Sequence, residues 1–592
     1  MAKQSYIVVG GGLAGLMATI RLAEAGHDIA LISFVPVKRS HSVCAQGGIN
    51  GAVNIKGEGD SPEIHFDDTV YGGDFLANQP PVKGMCSAAP GIIYLLDRMG
   101  VTFNRTTEGL LDFRRFGGTL YNRTAFAGAT TGQQILYALD EQVRRHEAAG
   151  LVKKFEFWEC LGPILDDDGA CRGVVALNQV DMTVRAMMAD AVVLATGGCG
   201  IIYGKSTLST TCTGTAVSSA YQSGAAYANG EFIQVHPTAI PGADKLRLMS
   251  ESARGEGGRV WVPKKQGDTR SGRSIPETER LYFLEDKYPK YGNLVPRDIA
   301  TREIFDICVN RGMGIGGGRA VYLDLTHIPR ATLDKKLGGI LEIYEKFVGV
   351  DPRDEPMMVF PAVHYSMGGI WVDFDQMTSV PGLFAAGECE YQYHGANRLG
   401  ANSLLSCIYA GQVSAASMIR YAGSRGRGAA EAPSTVAERE VKRWSGLQDR
   451  IALMDGPENP YQIWKELGEM MTDNVTVVRD NARLKATDAR LREMMERWRK
   501  IGVPDKGRHM NQGLIFTRQL WNMLELALVI TLGALMRDES RGAHYKPEFP
   551  DRDDEKFLRT TRATWSQDGP AITYEPVDTS LIRPRKRVYT AA

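Results

Sequence analysis

The chain has 592 residues, too many for a single hydrophobic core, so about two to four domains are expected. Its 69 basic and 69 acidic residues cancel, which removes the long-range field that would draw it to nucleic acid or an anionic membrane. The 65 glycines exceed the usual share of about 7% and fall in clusters, where they read as places of close backbone approach. Met1-Ala2-Lys3-Gln4 leads straight into a strand and leaves no room for a signal peptide. Nine cysteines (Cys44, Cys86, Cys160, Cys171, Cys199, Cys212, Cys308, Cys389 and Cys407) contain no C-x-x-C pair. The close spacings of zinc, iron–sulfur and c-type haem sites are therefore missing, and the scatter suits a reducing cytoplasm. If the chain handles electrons, they gather at one organic centre and leave through another protein.

Tyr6-Ile-Val-Val9 reads as a short buried strand, and Gly10, Gly12 and Gly15 fill the glycine positions of G-x-G-x-x-G. A helix follows from Leu13 to Ala25, ended by Gly26, and Asp28 to Ile32 is the second strand. In this order the glycines let backbone N–H groups and the helix N-terminus meet a pyrophosphate. The acid that usually holds an NAD ribose after the second strand is replaced by Ser33, which favours FAD. Lys38-Arg39-Ser40-His41-Ser42 then runs into Ala45-Gln46-Gly47-Gly48. His41 stands 26 residues beyond Gly15, a spacing that can carry the chain from the adenine end of a dinucleotide to its reactive ring.

Far downstream, Asp190-Ala-Val-Val-Leu-Ala195-Thr196-Gly197-Gly198 reads as a buried strand with a glycine turn. Gly382 to Glu388 repeats the pattern and adds an acid, expected to make the ribose contact that Ser33 cannot. Strands ending this way after long insertions are typical of two-dinucleotide-type flavoproteins. Several polar constellations lie between and after them: Gln234-Val-His236-Pro-Thr238, Ser250-Glu251-Ser-Ala-Arg254 in flexible glycine-rich backbone, and Pro296-Arg297-Asp298 opening a helix. His364 to Gly369 is expected after a turn at Pro361, and His394 to Leu405 contains Arg398, Ser403 and Leu404. Together they suit a small dianion. Arg398 can bind one carboxylate bidentately, histidines and a hydroxyl the other, and Arg297, Glu251 and Arg254 remain as a proton path.

The stretch from Leu520 to Met536 is interrupted by Asn522, Glu525 and Thr531 and is short of the roughly 20 residues that span a bilayer, so a buried helix is expected. Val436 to Arg499 has helical spacing, Gly423 to Gly428 marks a boundary, and the chain after Pro547 reads as a solvated tail or a contact for a neighbouring subunit.

These motifs, in this order and almost end to end, resemble the flavoprotein subunits of succinate dehydrogenase and quinol:fumarate reductase. The resemblance implies an α/β fold. An FAD-binding Rossmann-like, two-dinucleotide-type domain (1–240 and 351–430) carries an inserted α+β capping domain (241–350), a helical domain (431–545) and a tail (546–592). It implies FAD bonded through its 8α-methyl to His41. The cofactor would be held by Gly10, Gly12, Gly15, Ser33, Lys38, Ser40, Ser42, Gln46, Gly47, Gly48, Ala195, Thr196, Gly197, Glu388, Ser403 and Leu404. His236, Ser250, His364 and Arg398 would hold the dicarboxylate, and Arg297 would move the proton with Glu251 and Arg254. Partners would be an iron–sulfur subunit and a membrane cytochrome b anchor, placing the chain peripherally on the cytoplasmic side of the membrane.

Two positions depart from the common pattern. Thr213-Gly214-Thr215 lacks the acid that many members carry after Thr-Gly, as in the menaquinone-linked, Bacillus-like group. Ser250 replaces a frequent threonine but keeps its hydroxyl. A soluble relative such as L-aspartate oxidase normally lacks the flavin-linking histidine, so His41 separates the two. An RNA-associated FAD protein would call for an aromatic-basic patch, and none is present.

Overall fold

The computed structural model describes residues 3–242, 246–425 and 434–589. A five-stranded parallel sheet forms the base, in the spatial order Leu383–Ala385, Ala191–Leu194, Ser5–Val9, Asp28–Ser33, Val152–Glu156. Its strands Ser5–Val9, Ala191–Leu194 and Leu383–Ala385 are almost wholly apolar because both faces are covered, whereas the edge strand Val152–Glu156 carries Lys153, Lys154 and Glu156. Tyr6 and Val8 face one core, with the helices Leu13–Glu24 and Asn402–Ser424. Ile7 and Val9 face the other, with the strands Trp158–Leu165 and Cys171–Asn178. Gly10, Ala195 and Ala386 follow three adjacent strands and hydrogen-bond to their neighbours, Gly10 N to Ile32 O at 2.8 Å and Ala195 N to Val9 O at 2.7 Å. Three distant turns of sequence thus share one sheet end, where ligands bind in such folds.

A six-stranded sheet holds the cap, and its two longest strands are Ile233–Ile240 and Met357–Ser366. Both lie wholly outside 241–350. They carry Gln234, His236 and His364 at one end, while Ile240, Met357 and Val359 join the cap's core at the other. Pro361 is inside this second strand, not at the expected turn. The register passes from His236 opposite Ala362 to Ala239 opposite Phe360, so Pro361 falls at a bulge facing Pro237 and Thr238. A proline is tolerated there because no ladder N–H is required of it.

The helices Ser434–Leu453, Pro460–Asn474, Asn481–Trp498 and Gln512–Met536 form the helical part. Asn459, Asp480 and Asn511 cap the last three through side-chain oxygens. The Asn511 cap starts the final helix well before the apolar stretch at Leu520. Its 25 residues are long and apolar enough to cross a membrane, but 78% of its most apolar window is buried in the protein, as befits a core helix. Gly423 lies within the helix Asn402–Ser424, and residues 426–428 of the expected boundary lie outside the described residues.

The chain after Pro547 is not a solvated tail. Arg559–Thr564 and Ala571–Pro576 form a hairpin that extends the sheet containing Tyr227–Ala228. The Gln79 side chain accepts from Leu581 N and Ile582 N and donates to Ile582 O, and Tyr589 enters the cap's core. Charges that look solvated in the sequence are paired here, Arg585 with Asp67 and Arg587 with Asp298.

Candidate active site

Two cavities meet at the end of the parallel sheet. The first has an empty volume of about 1020 Å³ and is lined by Gly10, Gly12, Ser33, Ser40, Ala195, Thr196 and Gly197. The second, about 1390 Å³, is lined by Gln46, Gly47, Gly48, His236, Ser250, Glu251, Arg297, His364, Arg398, Ser403 and Leu404. His41, Ser42, Glu388 and Cys407 line both.

The first cavity is made by backbone. Gly10 has φ +118°, and a Cβ there would lie 2.1 Å from Ala195 O. Gly15 lines neither cavity; a Cβ on it would meet Gly10 O at 1.9 Å, so it serves close helix–strand packing. Ser40 Oγ and Thr196 Oγ1 are buried without partners, which suits a ligand rich in acceptors and hydroxyls. The expected residues do not all converge. The Lys38 side chain turns away, with Nζ 3.6 Å from Asp140 and 3.5 Å from Glu141. Ser33 bonds Val35 O at 2.5 Å and lines only the first cavity, whereas Glu388 stands at the junction of the two. Glu388 accepts from Ser366 N at 3.0 Å, and burial pushes its carboxyl up to about 7.

His41 opens a 3-10 turn, His41–Cys44, and its Nδ1 accepts the N–H of Ser209 at 3.2 Å.

In the second cavity the segment expected as flexible backbone is a buried helical turn, Ser252–Gly255, with Glu251 just before it. Glu251 is the hub. Arg297 donates to its Oε2 from Nε (2.8 Å) and Nη2 (2.6 Å), and Arg254 Nη2 donates to its Oε1 at 2.7 Å. Gly117 and Gly400 make room for it, since a Cβ at either would come within 2.1 and 3.0 Å of the carboxylate. Burial alone would push this carboxyl up, but Arg297 and Arg254 outweigh it and hold it below the ordinary range. Burial lowers the Arg254 guanidinium, whose Nη1 donates to Asn293 O at 2.7 Å.

Opposite lie the anion-binding groups. His236 Nδ1 accepts from Thr238 N at 3.2 Å, leaving its buried, unpartnered Nε2 as the donor. His364 Nδ1 bonds Thr207 Oγ1 at 2.7 Å, and the two rings meet edge to face at 5.0 Å. Burial and the nearby Arg297 hold both imidazoles well below their usual range, so both are neutral. Ser250 Oγ is buried 3.1 Å from Ser252 Oγ. Arg398 stacks on Tyr365 at 4.4 Å, and its buried Nε has no partner. Burial and Arg297 lower its pKa to about 9, the mark of a cation that lacks an anion.

Two orienting residues escaped the sequence expectations. Gln234 was noticed in its motif but not for its role: its side chain accepts from Arg297 Nη1 at 2.9 Å and donates to Arg398 O at 2.7 Å. Thr207 carries no sequence signal, because it reaches His364 only through a bridge between Ser206 and Val363.

A glycine-cradled dinucleotide cavity opening into one of converging cations defines a flavoprotein oxidoreductase. Residues 5–404 match the family described as FAD binding domain, and residues 464–589 match Fumarate reductase flavoprotein C-term. The chain is 64% identical to the succinate dehydrogenase flavoprotein subunit of Bacillus subtilis, covering 100% of this chain and 99% of that one. It is 35% identical to the fumarate reductase flavoprotein subunit of Escherichia coli, covering 98% and 95%. A structure of E. coli quinol fumarate reductase superposes with a TM-score of 0.90 at 34% identity, over 100% of this chain and 99% of that one. A structure described as quinol-fumarate reductase with menaquinol molecules gives 0.89 at 33%, over 99% and 100%. The chain belongs to the flavoprotein subunits of succinate dehydrogenase and fumarate reductase, and its cofactor is FAD.

Proposed function

We propose that this subunit interconverts succinate and fumarate at an FAD bonded to His41, with Arg297 moving the proton. The observation that carries this reading is the Arg254–Glu251–Arg297 chain, closed at 2.6 to 2.8 Å, beside two neutral imidazoles and an anion-seeking Arg398. Gly10, Gly12, Ser40, Thr196 and Gly197 would hold FAD in the first cavity, and the cofactor would supply a two-electron centre for hydride exchange with the dicarboxylate. Arg398 holds one carboxylate, while His236, His364 and Ser250 donate to the other. In fumarate reduction Arg297 gives a proton to carbon and is recharged through Glu251 and Arg254. In oxidation Arg297 must first lose a proton, against the high pKa of an ordinary guanidinium, by passing it to the adjacent Glu251 carboxylate and on past Arg254 to solvent, and it then takes one from carbon. The cap, residues 241–350 with the ends of its two long strands, closes over the substrate, expels water and strengthens each charged contact.

The linkage reading is supported by the position of His41 at the wall common to both cavities. An imidazole alkylated at Nε2 keeps a lone pair on Nδ1, and the Ser209 N–H is already placed to donate to it. Electrons leave through an iron–sulfur subunit and a membrane anchor to a quinone, with this chain peripheral on the cytoplasmic side. Menaquinone is favoured by Thr213-Gly214-Thr215 and by the 64% identity to the Bacillus subunit.

The purified complex should reduce an electron-accepting dye with succinate and, given reduced dye, consume fumarate. Oxidation of L-aspartate but of neither C4 dicarboxylate would transfer the chain to its soluble relatives. Glu251→Gln should retain FAD yet lower turnover by about two orders of magnitude, the usual lower bound for a general acid–base path; parent-like turnover would remove Glu251 from the relay.

A further inference from the structure

Arg297 and Asp298 are the first two residues of the helix Arg297–Phe305, and their side chains are held by different parts of the molecule. Arg297 reaches Glu251 and Gln234 in the active site. Asp298, only 5% exposed, is gripped by Arg587 through two bonds, Nη1 to Oδ2 at 2.9 Å and Nη2 to Oδ1 at 3.1 Å. Arg302, one turn along the helix, adds a third at 3.0 Å. Arg587 belongs to the last described stretch of chain, more than 280 residues away in sequence.

That stretch is fastened to the FAD-binding domain before it reaches the cap. Gln79 bonds the backbone at Leu581 and Ile582, Arg585 pairs with Asp67, and Val588 N donates to Tyr71 Oη at 2.6 Å. Arg587 itself also lies 3.6 Å from Asp74. Two residues later Tyr589 enters the cap's core, 5.6 Å from the ring of Tyr71 on one side and 5.3 Å from Tyr291 of the cap on the other. The end of the chain thus crosses the seam between the two parts that must close on substrate. It is tied to both sides of that seam, and its strongest tie is to the residue adjoining Arg297.

We propose that the segment around Arg587 is a strap across the seam between cap and FAD-binding domain, and that Arg587 is a positioning residue for Arg297, acting through Asp298. Two adjacent residues at a helix start share one backbone orientation, so a bidentate hold on Asp298 fixes the roll of the first turn and the direction in which Arg297 points. The proton path tolerates little error, because its bonds are already at 2.6 to 2.8 Å. Releasing the strap leaves the cavity residues and the FAD cradle in place but lets the proton donor drift. Turnover therefore suffers and dicarboxylate affinity does not. The proposal rests on Arg297 being the proton donor.

The test uses the assembled complex with the variants Arg587→Ala, Asp298→Asn, their combination, and Arg587→Lys. FAD per chain, dicarboxylate affinity from the flavin spectrum, kcat, and the isotope effect with deuterated succinate are measured on each. The single variants should lose about 10- to 100-fold in kcat, the scale of a small misplacement at the reacting atoms. FAD content and affinity should stay near those of the parent, and the isotope effect on kcat should rise. The double variant should lose no more than the worse single one, because both remove the same contact. A kcat that falls only in step with lost FAD, losses that add in the double variant, or an unchanged kcat would each overturn the proposal. Should Arg587→Ala not accumulate, Arg587→Lys decides: an intermediate kcat at full FAD content supports the strap, and full kcat overturns it. Failure of the proton assignment is read separately from Arg297→Ala, whose near-parent turnover would sink that reading whatever the Arg587 variants do.

Discussion

Arg297→Ala should lower both succinate oxidation and fumarate reduction by about three to four orders of magnitude, the upper part of the range for a positioned general acid or base. Dicarboxylate binding should survive, because Arg398, His236, His364 and Ser250 are contributed by other segments of the chain. The removed side chain leaves Glu251 with one buried partner, Arg254, at 2.7 Å. A lost partner for a buried carboxylate costs stability as well, about 3–5 kcal/mol, so turnover must be referred to folded, FAD-loaded protein. Arg297→Lys keeps a charge but not the two-pronged grip and should recover little. Single-turnover flavin reduction by succinate reads the step directly, and near-parent rates in Arg297→Ala would exclude Arg297 from it.

The second large effect is expected at His41. In His41→Ser the glycine cradle, Ser40 and Thr196 remain, so FAD should still bind, released as free cofactor on denaturation. Succinate is a weak hydride donor, and the proposed bond from His41 would keep the flavin strongly oxidising. For a two-electron couple each fall of about 30 mV shifts the equilibrium about tenfold. Succinate oxidation should therefore collapse by orders of magnitude while fumarate reduction persists. Equal losses in both directions would show that His41 supports binding or folding rather than potential.

Much of this was legible in the sequence because the relevant residues are local. The glycine loop, the helix after it and the strand at Asp28 are continuous, and their spacing alone demands the strand–turn–helix observed from Ser5 to Ser33. Arg297 follows a proline that starts its helix, and His236 precedes one that keeps it extended. What escaped is what depends on distant partners. Pro361 resembles a turn residue until the bulge opposite Pro237 is known. Lys38 sits within a cofactor motif, yet an acidic cluster around Asp140 draws its side chain off. The last fifty residues look hydrophilic because their arginines are charged, and nothing nearby in sequence reveals that Asp67 and Asp298 wait for them. Glu251 as hub could have been suspected from its neighbour Arg254, but the glycines that accommodate it, Gly117 and Gly400, lie more than a hundred residues away on either side.

Acid denaturation of the purified complex, tryptic digestion and mass measurement of the flavin-bearing peptide test the linkage to His41 most directly. Flavin should remain on the polypeptide and be recovered on the peptide containing His41. Flavin released entirely as free FAD, or recovered on another residue, would contradict it.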